Sequence, residues 1–389
     1  MLSPNDPAQS ATASAPAPAP FSTPALLAAM LRESAKISDL FFSPGKPPMV
    51  EINGGLAPTG PRALTADDTR HIASELIGSN KHALDNLSEQ GSCDVSYSLP
   101  GASRFRVNIF MQRGSCAIVI RVIPSRVPGF AELNLPAELQ QIAGLRNGIV
   151  LVTGPTGSGK SSTLAAIIDL INKTLAVHIL TIEDPIEFLH VHQNCIVHQR
   201  ELHSDTTTFA LALRAALRQA PKVILVGEMR DRETIEIALE AAETGHSVMS
   251  TLHTIDAAKT VERVVGVFPL SEQHTIRNRL AKSFRYIVSQ RLIPRKDGTG
   301  RVAAIEILKS TLRTREYVEK GEAEGKTLLD AMRVGTTEGM QHFDGEIEKL
   351  IRAGTIDLET GFGYATNPGN LRLELADFVP PPDPEPPAS

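Results

Sequence analysis

The chain has 389 residues, of which 42% are apolar and 21% charged, and a net charge of −5. This length predicts two or three domains, and the mild acidity argues against a general nucleic-acid binder, which should carry a basic surplus. The cysteines, Cys93, Cys116 and Cys195, form neither a CxxC metal pair nor a disulfide framework, as expected in a reducing compartment. No apolar run reaches membrane-helix length and no secretory signal is visible, so the sequence predicts a soluble cytoplasmic protein.

Proline is concentrated at the two ends of the sequence. Residues 1–20 hold five of the 27 prolines and residues 379–389 hold six. Segments of Ala, Pro and Ser with few large apolar side chains cannot offset the entropy of ordering. We therefore expect residues 1–24 and 379–389 to be disordered, with a docking role for either tail as the alternative.

Residues 25–123 follow a mixed α+β pattern. Residues 38–56 are typical of strand, Pro/Gly turn and strand. Between 104 and 111 apolar residues alternate with arginines and an asparagine, which is the period of a half-buried strand, and 116–123 predicts a second one. Residues 124–138 hold three prolines and little periodicity, so they predict a linker.

The second domain is expected to span residues 139–378. Apolar strands alternate there with helical stretches, at 149–153, 178–182, 223–227 and 247–251. This alternation predicts a parallel sheet with helices on both faces. After Arg301 we expect the chain to turn helical. An apolar stripe closed by Gly354 predicts a C-terminal helical segment; its members are Met340, Phe343, Ile347, Leu350 and Ile351.

The most specific motif is GPTGSGKS, a full GxxxxGK[ST] match between the strand 149–152 and a helical pattern at 163–170. Backbone N–H groups of such a loop curl around phosphate oxygens, and the helix N-terminus adds its positive dipole end. We expect Lys160 to reach the β- and γ-phosphates of ATP and the Ser161 hydroxyl to help hold Mg²⁺. The predicted nucleotide-binding residues are Gly154, Thr156, Gly157, Ser158, Gly159, Lys160, Ser161 and Ser162.

Two glutamates at predicted strand ends are candidates to orient the attacking water. Glu183 ends the apolar strand in HILTIEDPIEF, and Glu228 follows KVILVG. In open α/β sheets such strand ends face the ligand crevice. Glycine stands where a Mg²⁺-binding aspartate is usual before Glu228, so we expect the ion to be held partly through water, with Glu228 near it. The alternative for either carboxylate is a helix cap or a surface ion pair.

Two histidines flank a fourth strand in GHSVMSTLHT. His253 lies at the predicted strand end, which favours a γ-phosphate sensor. His246 is open to two interpretations, since it could equally pack or cap, and a lone histidine is more often structural than catalytic.

With these segments in place, the sequence resembles the secretion-superfamily ATPases, and within them the type IV pilus retraction ATPases of twitching motility (PilT/PilU). The resemblance covers about residues 25–378. It is carried by GPTGSGKSSTLAA, ILTIEDPIEF, HQREL, ILVGEMRDRETIEIALEAAETGH and STLHTIDAAKTVERVV.

The resemblance implies an N-terminal PAS-like domain followed by a RecA-like P-loop ATPase domain, assembled as a homohexamer. It implies Glu183 in an Asp box, Glu228 in a Walker B strand, and His246 and His253 in a His box. Arginines of the N-terminal domain would face a neighbour's ATP, or else form surface ion pairs. The candidates are Arg104, Arg106 and Arg121, with Arg200, Arg214, Arg218 and Arg230 ranked lower.

The implied activity is ATP hydrolysis that drives pilus retraction through an inner-membrane platform protein, with a paralogous retraction ATPase as a further partner. Membrane association would then be peripheral and through partners, and no nucleic acid is expected. Assembly ATPases of the superfamily carry a larger N-terminal region and a tetracysteine site, whereas no cysteine follows Cys195 here. A type II or type IV secretion motor and an accessory PilU-like motor are the alternatives.

Overall fold

The computed structural model describes residues 22–34, 36–52, 54–60, 62–124 and 126–378. The tails predicted to be disordered lie outside these ranges, except for residues 22–24, where Thr23 already begins a helix and is buried. Backbone contacts divide the chain after Ile123 into two compact units.

The first unit combines helices with an antiparallel sheet. Its elements are α1 (Thr23–Glu33), β1 (Ile37–Phe42), β2 (Met49–Ile52), β3 (Gly55–Pro58), α2 (Ala66–Ile77), α3 (Lys81–Gln90), β4 (Ser92–Leu99), β5 (Ser103–Gln112) and β6 (Ser115–Ile123). The strand order is β3-β2-β1-β6-β5-β4. Phe105, Val107 and Ile109 of β5 point into the core, so Arg104 and Arg106 lie on the opposite face, as the alternation predicts.

The second unit is built on a mixed sheet. Its strands are β7 (Gly148–Thr153), β8 (His178–Glu183), β9 (Ile196–Glu201), β10 (Val223–Val226), β11 (Ser247–Leu252), β12 (Phe284–Pro294) and β13 (Arg301–Lys309). The order is β13-β12-β7-β11-β10-β8-β9. All neighbours are parallel except β12 and β13, which are antiparallel.

Helices cover both faces of this sheet, as predicted. The helices are α4 (Lys160–Thr174), α5 (Phe209–Ala216), α6 (Arg232–Glu243), α7 (Ala257–Gly266), α8 (Leu270–Ser283), α9 (Leu312–Lys320), α10 (Leu328–Val334), α11 (Phe343–Arg352), α12 (Leu358–Tyr364) and α13 (Pro368–Glu374). Ile149 and Leu151 of β7 pack on the face of α5 to α8, while Val150 and Val152 pack on the face of α4. Alternate residues of one buried strand therefore serve two cores.

Three features differ from the sequence-based expectation. The chain does not turn helical after Arg301, because 301–309 form the antiparallel edge strand β13 and the helices begin at Leu312. The sheet is consequently not wholly parallel. The predicted linker 124–138 is partly packed, since Phe130 and Leu135 contact the core on the α4 face. A short apolar run such as VAAIEIL in β13 is compatible with a helix or a strand. Pairing with β12 makes it a strand.

In the part of the chain that the structure describes, no helix has the length and hydropathy needed to cross a membrane.

Candidate functional site

The glycine-rich loop joins the buried strand β7 to helix α4, the context that the motif requires. Gly154, Gly157 and Gly159 all have positive φ, at 145°, 76° and 91°. A Cβ on Gly154 would lie 2.5 Å from both the Gln290 carbonyl oxygen and Ser158 Oγ. Only glycine therefore allows the loop to turn this tightly against β12.

The first turn of α4 has backbone N–H groups to offer. Its N-cap, Gly159, makes no side-chain capping bond, and Ser161 and Ser162 follow in partly exposed positions. Ser158 Oγ is buried without a hydrogen-bond partner among the described residues. Free donors, a hydroxyl and a helix N-terminus form the donor set that phosphate oxygens require, so the loop fits a nucleotide.

Lys160 is folded back onto its own loop. Its Nζ donates to the carbonyl oxygens of Gly154 at 2.8 Å and Pro155 at 3.0 Å. Burial lowers the pKa of Lys160, whereas the carboxylates of Glu228 and Glu187 raise it. A desolvated ammonium beside carboxylates is stabilised by contact with a phosphate, because the phosphate supplies a close negative charge that the loop carbonyl groups lack.

Glu183, at the end of β8, is held by several donors. Thr181 Oγ1 lies 2.6 Å and Gln199 Nε2 lies 3.1 Å from Glu183 Oε1. Burial raises the pKa of Glu183, and the hydrogen bonds from Thr181, Gln199 and the Glu187 backbone oppose that rise. A carboxyl with a raised pKa is a better proton acceptor near neutral pH than an exposed one.

Glu228 follows β10 and lies close to an arginine and a histidine. It contacts Arg230, and its Oε1 lies 3.5 Å from His253 Nε2. The presence of glycine before Glu228 has a steric explanation. A Cβ on Gly227 would lie 3.2 Å from the Ile182 carbonyl oxygen and 3.3 Å from Glu183 Cα. The ends of β8 and β10 therefore approach too closely for a larger residue to fit without displacing its neighbours.

The register of the parallel strands separates the two histidines. Leu252 lies opposite Thr153, so His253 follows its strand at the edge where the glycine-rich loop begins. His246 lies at the other edge, where its carbonyl accepts from the Gly148 N–H and its Nδ1 bonds the Ala241 carbonyl. The structure thus brings Lys160, Glu228 and His253 to one edge and leaves His246 at the opposite one.

The three predicted interface arginines share one face of the first unit. Arg104 and Arg106 lie on β5, and Arg106 is directly opposite Arg121 on β6. Arg121 Nε lies 3.1 Å from Asp39 Oδ1. The lower-ranked arginines have contacts within the second unit: Arg200 with the Asp205 carbonyl, Arg214 with Glu233, Arg218 with the Arg214 carbonyl, and Arg230 with Glu228.

Buried polar side chains lie between the site and the edge strand β13. Thr153 Oγ1 donates to Ser289 Oγ at 3.1 Å, and Ser289 lies directly opposite Glu306 of β13. Glu306 Oε1 in turn accepts from the Ala257 N–H at 2.8 Å, at the start of the helix that follows His253. Burial raises the pKa of Glu306 to about 7.

Sequence reasoning missed the residues that surround the glutamates. Thr181 and Gln199 contact Glu183, and Arg230 pairs with Glu228, yet none of these roles was expected. HQREL contributes to the prediction only through the resemblance, because a short segment with two charged side chains, one amide and one imidazole gives no clear strand pattern. The pairing of β9 with β8 is what brings Gln199 to Glu183.

Comparison with known proteins places this architecture among characterised ATPases. The sequence pattern of the family described as "Type II/IV secretion system protein" matches residues 89–361. The type IV pilus retraction ATPase PilT of Pseudomonas aeruginosa is 43% identical over 346 residues, covering 89% of this chain and 98% of that protein. The type IV pilus ATPase PilU of the same organism is 39% identical over 338 residues, covering 87% of each chain.

The solved structures show the same relationship. A crystal structure of the pilus retraction motor PilT with bound ADP superimposes with a TM-score of 0.80 at 40% sequence identity. The match covers 88% of this chain and 98% of that one. The likeness therefore extends over both compact units.

Proposed function

The chain belongs to the family of type II/IV secretion system proteins, as a PilT-like P-loop ATPase, and we propose that it hydrolyses ATP to drive retraction of type IV pili in twitching motility. One observation carries this proposal most directly. The glycine-rich loop with Lys160, and Glu228 beside His253, lie at one edge of the sheet in a chain that is 43% identical to PilT over 98% of that protein.

In this proposal the loop N–H groups and Lys160 bind the β- and γ-phosphates. Ser161 and Glu228 would hold Mg²⁺, Glu228 partly through water, and the bound ion would supply positive charge near the transferred phosphoryl group. His253, next to Glu228, senses the γ-phosphate. Glu183 has the raised pKa that suits a proton acceptor, so we assign it the water, with Glu228 as the alternative.

We further propose that six chains form a ring, with the first unit as a PAS-like domain. Arg104, Arg106 and Arg121 would then approach the ATP of a neighbouring subunit, since they share one face of the sheet and a trans arginine stabilises phosphoryl transfer. Mixing Arg106→Ala with Lys160→Ala subunits tests this. Two inactive variants should recover part of their turnover on mixing, because some interfaces then join an intact arginine to an intact loop; no recovery contradicts the trans role.

The motor is proposed to act in the cytoplasm, at the inner membrane, through a membrane-embedded platform protein and alongside a paralogous retraction ATPase. Deleting the gene should leave surface pili that cannot retract. Loss of the pili themselves would contradict a retraction role. A second candidate, favoured by the type II/IV secretion family match, is the same motor in a secretion system; neighbouring genes for pilins or for a secretion core distinguish the two.

The decisive biochemical experiment measures ATPase activity and particle mass of the purified protein with and without Mg·ATP. We expect turnover that needs both Mg²⁺ and ATP, and particles of six chains in the presence of nucleotide. Monomers in both conditions would exclude the ring. Turnover that survives Lys160→Ala but is lost in Glu228→Gln would contradict the assigned roles.

A further inference from the structure

The loop after Glu183 is fastened to the edge strand β9 by two side chains. Gln199 Oε1 accepts from the His190 N–H at 2.8 Å, and its Nε2 donates to the Phe188 carbonyl at 2.9 Å. Two residues further along β9, Glu201 Oε2 accepts from the Ile186 N–H at 2.9 Å. Strand β9 therefore acts as a template for loop 184–190.

The same Gln199 amide also contacts the candidate catalytic carboxylate. Its Nε2 lies 3.1 Å from Glu183 Oε1, the oxygen that also accepts from Thr181 at 2.6 Å. One side chain thus joins the carboxylate to two backbone groups of the loop that follows it. The Gln199 amide therefore restrains the rotamer of Glu183, because it bonds both the carboxylate and the loop that follows it to the same strand.

We propose that Gln199 is a positioning residue for ATP hydrolysis, whose amide holds the Glu183 carboxylate in its working position. The inference rests on the proposed ATPase function and on the assignment of the water to Glu183. A donor to a carboxylate also favours its charged form, so Gln199 keeps Glu183 able to accept a proton despite its burial.

The segments next to Glu183 in the fold carry several charged groups. Glu187 of its own loop disfavours ionisation of Glu183, and Glu201 lies opposite Glu183 on β9. The segment after β10 packs on Glu183 Cα through Gly227. The charged groups on the neighbouring elements are Lys160, Asp184, Glu187, Arg200, Glu201, Glu228 and Arg230.

The experiment compares the pH dependence of kcat in designed variants. Gln199→Glu keeps an acceptor for His190 but replaces the donor to Glu183 with a second carboxylate. Thr181→Val removes the other donor without touching the loop. Both changes disfavour the charged form of Glu183, so the acid limb of the profile should move to higher pH, by about one unit for Thr181→Val and by more for Gln199→Glu. KM for ATP should change by less than about two-fold, since neither residue belongs to the phosphate loop.

A matched control loosens the adjoining chain without touching the carboxylate. Asn172 Nδ2 donates to the Val191 carbonyl and Asn172 Oδ1 accepts from the Gln193 N–H. Asn172→Ala should lower the melting temperature and leave the acid limb in place. Gln199→Met, which preserves side-chain length and adds no charge, repeats the test should Gln199→Glu fold poorly, with an expected shift of about one unit.

The outcomes separate this inference from the proposed function. A wild-type protein without Mg·ATP-dependent turnover would refute the proposed function itself. Normal turnover with an unshifted acid limb in the Gln199 variants would overturn the role of Gln199 alone. If the acid limb shifts as far in Asn172→Ala as in Gln199→Met, Gln199 is only a general loop contact. If Glu183→Gln retains turnover, the inference is overturned, because the carboxylate that Gln199 contacts is then not needed for hydrolysis.

Discussion

The two halves of the candidate site are built in different ways. The phosphate half, residues 154–162, is one continuous segment whose geometry comes from positive-φ glycines and a helix N-terminus. The carboxylate half, formed by Glu183, Glu228 and His253, gathers side chains from three strand ends and holds them through other side chains. In the proposed function, backbone geometry would therefore govern nucleotide binding in the first half, while side-chain hydrogen bonds and charges would govern protonation of the carboxylates in the second.

The largest expected effect separates turnover from binding. Glu228→Gln should lower kcat by roughly 100- to 10,000-fold, the range for losing a group that acts on the reacting proton or its ion, while the Kd for ATP changes little. Steady-state ATPase assays measure kcat, and ATP titrations measure the Kd. The control is Glu233→Gln, since Glu233 is an exposed ion-pair partner of Arg214; it should change neither kcat nor the Kd for ATP. Equal losses of binding and turnover in Glu228→Gln would contradict a separation of the two halves.

In the phosphate half, Gly154→Ala should weaken ATP binding strongly. Its Cβ would lie 2.5 Å from two neighbouring atoms at a φ of 145°, and a cost of about 3 kcal/mol lowers ATP affinity about 100-fold. Gly157→Ala has positive φ but no atom within 4 Å of the added Cβ, so about 1 kcal/mol of backbone strain is expected there. Titration calorimetry with ATP should rank the two variants; equal losses would argue against the steric explanation.

A smaller effect should reach the carboxylate half alone. Gly227→Ala pushes on the Ile182 carbonyl and on Glu183 Cα, and a displacement of a few tenths of an ångström should lower kcat about ten-fold, since orientation of reacting groups is steeply distance-dependent. ATP affinity should remain close to that of the wild type. Full activity in Gly227→Ala would indicate that the contact between β8 and β10 does not orient Glu183.

The smallest effect concerns stability, beneath both halves. The folded-state pKa of Glu306 is about 7, above the roughly 4.3 of an unfolded glutamate, so the folded protein binds the extra proton and stability falls as pH rises from about 4.3 to 7. The loss is at most about 4 kcal/mol. Glu306→Gln avoids it and keeps an acceptor for Ala257, so its melting temperature relative to wild type should rise between pH 5 and pH 8.

The control for this comparison is Glu272→Gln, since Glu272 pairs with Arg232 at the surface. Its melting temperature relative to the wild type should not grow with pH. A pH-independent difference for Glu306→Gln would mean that Glu306 does not take up a proton on folding.

Much of the fold could be predicted because local signals were strong. The strand before the glycine-rich loop and the helix after it lie within a few residues of the expected positions, and Phe343, Ile347 and Ile351 of the apolar stripe are buried on α11. Strands β9, β12 and β13 of the second unit were not predicted, because their patterns are ambiguous in isolation. The polar IVHQRE becomes a strand through pairing with β8, and RVAAIEILK through pairing with β12.

What the sequence determined by itself is the chemistry of the phosphate loop, because every residue needed for that geometry is contiguous and glycine leaves few other conformations. Only the tertiary structure decided the rest. The order of parallel strands places His253 at the loop edge and His246 at the other, and the edge strand delivers Gln199 to Glu183. These contacts join residues distant in sequence, and their geometry depends on register, which no single segment encodes.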